Sequence, residues 1–475
     1  MNMLINLTSS SSSPSSSSSS NGYINDVKLN DNGEVILKRR EYSNTKCLYY
    51  LFTEFFQNTT VYLYVMTFLF SGLFCLSILF IISYIIINNL IILILNTFNI
   101  YIINNYKLSI ININSINEFQ YSIIITLFIL YIIYWLWDWN SENHGGHPKQ
   151  FIRYLKIWEY LADYFPIHLV ISKEFIKFNK IHNHHIKHYS YFMNSIMNNE
   201  DYKNDDDFDN ELMKENLSMD VNYLVGFHPH GILATGAFIN FATEATGFSK
   251  VFPRFKPYLA ILKAHFIAPF YRDFLMLFEF KQLTFITEIT NIGINIFHTV
   301  CILKGMIAAT KKGLHYLLDK NSCKQTGNFV VVVLGGASEA LDSRPGTYVM
   351  HINQRFGFFK LALQTGSYLV PCISFGEQSL YHQVPNEKGS WIRWLQDKFT
   401  SISTVALPIF YARGPFPYRK PVYTVVGAPI QCEKINEPTD EQVAHIKQIY
   451  IEKLQTLFED YKVIYDPEAN DIEFV

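Results

Sequence analysis

At 475 residues the chain is long enough for one large domain or two ordinary ones. It is 49% hydrophobic and 16% aromatic, and only 17% charged, well short of the ~25% typical of soluble domains. A formal net charge of -2 argues against a nucleic-acid partner, because phosphate neutralisation needs a basic surface. The six cysteines form no C-x-x-C pair, so neither a zinc site nor a redox motif is indicated. This usage fits a domain facing a reducing compartment, with Cys372 a small core residue.

Residues 9–20 are serine except Pro14, a composition that builds no core, and residues 1–50 are expected to be a disordered Ser-rich cytosolic tail. No basic-then-apolar start marks a cleavable signal. From Phe55 to Tyr106 there is no Asp, Glu, Lys or Arg. A membrane hairpin is expected over 51–140, with spans at about 61–87 and 121–137, since a spanning helix needs about 20 apolar residues. Tyr134, Trp135, Trp137 and Trp139 suit the interfacial aromatic belt at the end of the second span.

Lys38, Arg39, Arg40 and Lys46 precede the first span, and Lys149, Arg153 and Lys156 follow the second, while the loop between has only Lys107. The positive-inside rule then puts both flanks on the cytosolic side. Residues 90–103 are apolar but interrupted by Asn96 and Asn99. They read as an interfacial segment; a third crossing there would instead place the following domain in the lumen.

A domain is expected over 150–465, with a low-complexity insertion at 182–215 that runs from HNHHIKH to NDDDFDNE. Its His and acidic clusters read as a solvated surface, not a metal site. From 223 the pattern is α/β. YLVGF (223–227), FVVVVL (329–334), YLVPCISF (368–375) and VYTVVG (422–427) read as buried strands. A helical stretch after 231 ends near Gly247, and a short helix fills 355–366. Thr439-x-x-Gln442 is a capping box opening a last helix, whose apolar stripe includes Val443, Ile446, Tyr450, Leu454, Leu457 and Tyr461. The expected fold is α/β, a mixed or parallel sheet flanked by helices.

Three blocks can carry chemistry. His228-Pro229-His230-Gly231 follows a strand directly, where open α/β sheets place ligands. An imidazole there can act as general base, and His230 is the first candidate because it stands nearest the helix start. That helix N-terminus would also favour a developing oxyanion. The bland alternative is two structural histidines. An H-x-H metal pair is disfavoured, because no suitably spaced Cys, Asp or further His follows closely.

The second block, Gly335-Gly336-Ala337-Ser338-Glu339, offers backbone N–H groups to an anion, and Glu339 can orient a histidine or accept from a substrate hydroxyl. A surface turn with a solvated Glu fits the same residues. In the third, Arg355 and Lys360 can pair with phosphates of an acyl carrier, and Glu377 closes the block. An amphipathic helix feeding a core strand is the alternative there.

Together with Tyr164-Phe165-Pro166, RFKPYLAILKAHFIAPFYRDFLM (254–276), GSWIRWLQDKF (389–399) and VVGAPI (425–430), these blocks resemble the type 2 diacylglycerol acyltransferase family, which includes monoacylglycerol and wax-alcohol acyltransferases. The resemblance covers most of 151–465 plus the hydrophobic hairpin. It implies acyl-CoA as donor, diacylglycerol or a related neutral-lipid alcohol as acceptor, and triacylglycerol or a relative as product, with no cofactor. It also implies a multi-pass protein of the endoplasmic reticulum membrane enriched on lipid droplets, and leaves a homo-oligomer open. His228, Pro229, His230 and Gly231 would form its active-site block, with Gly335, Gly336, Arg355, Lys360 and Glu377 around the substrate.

Related glycerolipid acyltransferases use His-x4-Asp. Here Leu233 follows His228 at that spacing and Thr235 follows His230, so Glu339 is the partner to test first. No Ser or Cys nucleophile with an adjacent base is evident, which favours direct transfer over an acyl-enzyme. A non-catalytic droplet scaffold and a soluble metallohydrolase are the rival classes.

Overall fold

The Val- and Ile-rich runs become one mixed sheet in the computed structural model, which describes residues 24–29, 35–39, 47–106, 118–145, 150–178, 220–267, 271–276, 306–414 and 416–475. In chain order the strands are β1 (Ile24–Leu29), β2 (Val35–Arg39), β3 (Ile167–Ile171), β4 (Tyr223–His228), β5 (Lys256–Ile261), β6 (Ile307–Ala308) and β7 (Asn328–Val333). They continue with β8 (Tyr348–Met350), β9 (Tyr368–Phe375), β10 (His382–Gln383), β11 (Phe410–Tyr411), β12 (Val422–Val426) and β13 (Ile472–Phe474). The main sheet has nine strands in the order β1-β2-β3-β12-β9-β4-β7-β5-β6. Its centre, β9-β4-β7-β5-β6, is parallel throughout, whereas β12 runs antiparallel to β9.

β4 is buried along its whole length, as a central parallel strand covered on both faces must be. Side chains alternate between the two layers. Tyr223, Val225 and Phe227 join Phe329, Val331, Phe241 and Phe248 on one face. Leu224 joins Val330, Val332 and Leu369 on the other.

The helices that bear on the argument are α1 (Cys47–Tyr106), α2 (Glu118–Trp137), α3 (Lys156–Tyr164), α4 (Gly336–Asp342), α5 (Phe356–Thr365), α6 (Trp391–Ser403) and α7 (Asp440–Tyr465). α7 opens on the expected capping box: Gln442 N donates to Thr439 Oγ1 and Thr439 N donates to Gln442 Oε1. Its apolar stripe packs on the second face of the sheet. The four predicted strands and the 355–366 helix are present within a residue or so of their expected limits. The helical stretch after 231 is broken into Thr235–Ala237, a π segment Phe238–Ala242 and Phe248–Val251.

Two domain limits need correction. The segment 1–50 is not structureless throughout, because β1 and β2 pair antiparallel and β2 joins β3 at the sheet edge. The α/β domain also runs past 465, since β13 pairs in parallel with β8. The insertion 182–215, residues 1–23 and the loop 107–117 lie outside the described residues.

Residues 61–87 lie inside α1, which carries on through 90–103 as helix, so that stretch is no separate element. Among the described residues no single helix is long and apolar enough to cross a membrane; Leu51–Phe70 and Phe74–Asn88, bent by 59° from each other, meet that measure together. Phe55, Phe70, Phe74, Phe80 and Tyr84 on these limbs are exposed.

The same helix also grips the body. Phe56 stacks on Tyr160 of α3, and Tyr64 and Phe68 pack against Phe238. Behind α2, Arg272 is sealed among Asp138 (2.9 Å) and Glu142 (3.3 Å), a buried ion cluster that ties the chain after α2 to Tyr271–Met276.

Candidate active site

Three adjacent parallel strands end side by side. In register, Phe227 of β4 faces Val333 of β7 and Cys372 of β9. Their carboxyl ends therefore bring together His228–Gly231, Gly335–Glu339 and Glu377, which are distant in sequence. Ligands of open α/β sheets bind at such strand ends, where the chain leaves in opposite directions from neighbouring strands.

His228 is fully buried, and its peptide bond to Pro229 is cis. Its Nε2 lies 3.1 Å from Tyr450 Oη on α7, and that hydroxyl lies 3.2 Å from Gly226 O. A carbonyl only accepts, so the tyrosine proton goes to Gly226 and Nε2–H donates to the phenol oxygen. Nδ1 is then a bare lone pair, and it is buried without a partner. Burial alone pushes this imidazole down to about 3, so His228 is neutral at physiological pH. Gly226 is required in the strand because a Cβ there would collide with the Tyr450 hydroxyl.

His230, two residues on, is only half-buried. Its Nδ1 lies 3.0 Å from Gly231 O and must donate to it, which leaves Nε2 as the basic nitrogen. Burial lowers its pKa from the ordinary imidazole value. His265, on the turn Lys263–Phe266, is likewise lowered, by burial first and by the neighbouring His230 second.

Two buried glutamates hold this loop from opposite sides. Glu339, in the first turn of α4, accepts the backbone N–H of His230 on Oε1 and that of His351 on Oε2 (3.1 Å). It touches the backbone of His230 and not its ring. Glu377, just after β9, accepts Thr235 N at 2.7 Å and Gly236 N at 2.8 Å. Gly231 sits on Glu377, with a positive φ of 62° and room for no Cβ, which would lie 2.6 Å from the Glu377 Cγ. Burial pushes both carboxyls up to about 7, against the pull of these N–H donors.

The N–H groups at the start of the following helix are thus occupied by Glu377. The expected oxyanion role of that helix N-terminus does not fit; Glu377 caps it instead. Pro229 and Gly231 shape the loop. On the far side, Arg355 Nη2 donates to Gly335 O at 2.7 Å, bracing the Gly335–Gly336 turn, while its Nε is buried without a partner. Lys360 is half-buried further along α5.

Sequence reasoning missed Tyr450, which its place in an apolar stripe disguised as core. It also missed Tyr64 of α1, whose hydroxyl reaches Thr235 Oγ1 at 3.3 Å. Among the described residues no group of His, Cys, Asp and Glu could hold a metal ion.

The diacylglycerol acyltransferase family model matches residues 119–205, 202–285 and 279–475. The chain belongs to that family and is an acyltransferase. It is 36% identical to the 2-acylglycerol O-acyltransferase 1 of Bos taurus, over 74% of this chain and 87% of that protein. It is 35% identical to the diacylglycerol O-acyltransferase 2 of Danio rerio, over 72% and 78%, and to that of Homo sapiens, over 73% of each. No solved structure matches the chain.

Proposed function

We propose that this protein moves a fatty acyl group from acyl-CoA to the free hydroxyl of diacylglycerol, forming triacylglycerol. The observation that carries the mechanism is the tautomer of His230. Its Nδ1–H is held by Gly231 O, which leaves Nε2 as the basic nitrogen. Nε2 takes the acceptor's hydroxyl proton as the alkoxide oxygen bonds to the thioester carbon. The tetrahedral intermediate collapses, the C–S bond breaks, and CoA leaves as a thiolate that receives the proton back from His230.

The carbonyl oxygen is stabilised by N–H groups of the Gly335–Gly336 turn, since those of His230, Thr235 and Gly236 already serve the two glutamates. Arg355 and Lys360 supply the positive charge for the CoA phosphates. Glu339 fixes the loop backbone, and Glu377 caps the turn behind it. No cofactor takes part.

Both substrates' chemistry supports an anchored enzyme. Diacylglycerol dissolves in bilayers, so α1 and α2 would form a hairpin that keeps the site at the endoplasmic reticulum membrane, with the catalytic body cytosolic where CoA arrives and with access to lipid droplets. The flanking positive charge favours that orientation.

A second acceptor, monoacylglycerol, has the near-equal likeness to 2-acylglycerol and diacylglycerol acyltransferases in its favour. The deciding experiment is the product profile in a host lacking its own neutral-lipid acyltransferases. Triacylglycerol formed from supplied diacylglycerol is expected. Diacylglycerol from monoacylglycerol with no triacylglycerol would install the second acceptor, and no neutral lipid at all would overturn both.

A further inference from the structure

One helix of the catalytic body is turned inside out. In α6, Trp391, Leu395, Phe399 and Ile402 recur at helical spacing and share a face. That face points away from the protein: Trp391 is 74% exposed, Trp394 66% and Ile402 77%. Two polar residues, Arg393 and Gln396, point inward instead. Arg393 is buried and pairs with Asp342 of α4 (2.5 Å) and with Asp397 (3.0 Å). Gln396 is buried and bonds the carbonyl of Leu407 (2.9 Å) and the side chain of Asn386 (2.9 Å). A helix in water arranges these the other way, and an exposed stripe of large apolar chains signals a contact surface.

The geometry points to α6 lying in the plane of the membrane, its apolar face sunk into the boundary between headgroups and acyl chains. Three observations select lipid as the occupant. Two tryptophans stand on the stripe, the side chain that favours this boundary. Lys398 lies between them in angle around the helix, placed to reach anionic headgroups along its own stem. The segment after α6 keeps Leu407, Ile409 and Tyr411 exposed, and then meets α1 through Phe416, whose ring lies 6.2 Å from that of Tyr62. The exposed apolar residues after α6 thus lead to the limb of α1 assigned above to the membrane.

This contact goes beyond the hairpin, although it rests on the reading that the acceptor is drawn from lipid. It has a consequence for the site. Arg393 holds Asp342, which lies on α4 three residues after Glu339, so the membrane contact and the glutamate under His230 share one rigid unit. A body held by α6 as well as by α1 keeps a fixed tilt on the leaflet, with its strand ends at a set height above the acceptor.

The test uses the full chain in phosphatidylcholine vesicles containing a minor fraction of phosphatidylserine. Tryptophan emission of the wild type, minus that of Trp391→Phe/Trp394→Phe, isolates the two α6 residues among the six in the chain. Phosphatidylcholine brominated high on its acyl chains is expected to quench this component at least twofold, and aqueous iodide to leave it unchanged. Quenching by iodide and not by bromolipid would overturn the proposal, because the face then meets water. Protection from both would overturn it too, because a protein surface, such as a second copy, then covers the face.

These readings need no turnover, so they stand apart from the fate of the acyltransfer mechanism. In a second arm, Leu395→Glu/Ile402→Glu leaves every inward contact of α6 intact. It is expected to raise KM for bilayer diacylglycerol roughly five- to tenfold, a modest effect because the hairpin still tethers the chain. The rate on a water-dispersed short-chain diacylglycerol should not change. Equal rates on both acceptors, before and after substitution, would overturn the contact.

Discussion

His228 and His230 stand two residues apart on one loop and have opposite surroundings. His228 is sealed, bonded through Nε2 to Tyr450, with Nδ1 facing no partner. His230 is half open, and its ring is bonded to the carbonyl of its own neighbour, Gly231. The first ring is part of the packing that locks the loop to α7, and the second, on the proposed mechanism, exchanges a proton with the acceptor alcohol. Two histidines of one short motif are thus given different surroundings by the tertiary structure, one sealed and one half open.

The sharpest way to break this division is to remove each ring in turn. His230→Ala should lower kcat by about 10²- to 10⁴-fold while leaving the thermal transition nearly in place. Because His230 is held below the ordinary imidazole value, the acid limb of the wild-type kcat/KM profile should fall below pH ~6.5. A near-normal His230→Ala enzyme would transfer the base role elsewhere.

His228→Ala should act first on stability, costing about 2–4 kcal/mol in denaturant unfolding through the cavity it leaves and the donor it takes from the Tyr450 oxygen. A folded, inactive His228→Ala beside an active His230→Ala would reverse the two assignments.

Glu377 sharpens the comparison from beneath. Glu377→Ala leaves two buried N–H groups unmet, for a loss of about 1–3 kcal/mol, and Glu377→Gln should restore part of it because one oxygen remains. The pH dependence has a defined sign. The folded carboxyl titrates near 7 and the unfolded one near 4.5, so the native state holds the extra proton between them. Its contribution is present below about 4.5 and is lost as pH rises towards 7. Glu377→Gln should flatten that portion of a stability–pH curve, and an unchanged curve would mean that the carboxyl is already ionised.

The smallest effect is expected at Tyr450. Tyr450→Phe removes one hydroxyl bonded to His228, for about 1 kcal/mol of stability and only a few-fold in kcat. A loss as large as that of His230→Ala would make His228 the reacting ring.

Much of the fold was legible because its signals are local. β-branched runs such as Phe329–Val333 bounded by Gly335 and Gly336 can be little but buried strands, and the Thr439–Gln442 capping box is written in four residues. The His-Pro-His-Gly block and its acids were legible as residue types, and the family that they resemble is the family the chain belongs to. Their roles were not. As a residue type Glu339 suits a histidine partner or a substrate hydroxyl, and in the fold it meets the backbone N–H of His230; Arg355 suits a phosphate, and in the fold it braces Gly335 O. Tyr450 was counted as core, since periodicity reports which face of α7 is buried and says nothing of what a hydroxyl meets there.

The two amphipathic helices mark the boundary. The sequences of α6 and α7 both fix a helix with one apolar face, because spacing, capping and propensity act within a few residues. Which way that face turns depends on partners supplied from far along the chain. α7 is turned inward by the sheet. α6 is turned outward because Asp342 and Asn386 bind Arg393 and Gln396. Likewise, the sequence by itself determined which strands and which chemical groups exist. Only the alignment of three parallel strand ends decided that one imidazole would be sealed and the other left open.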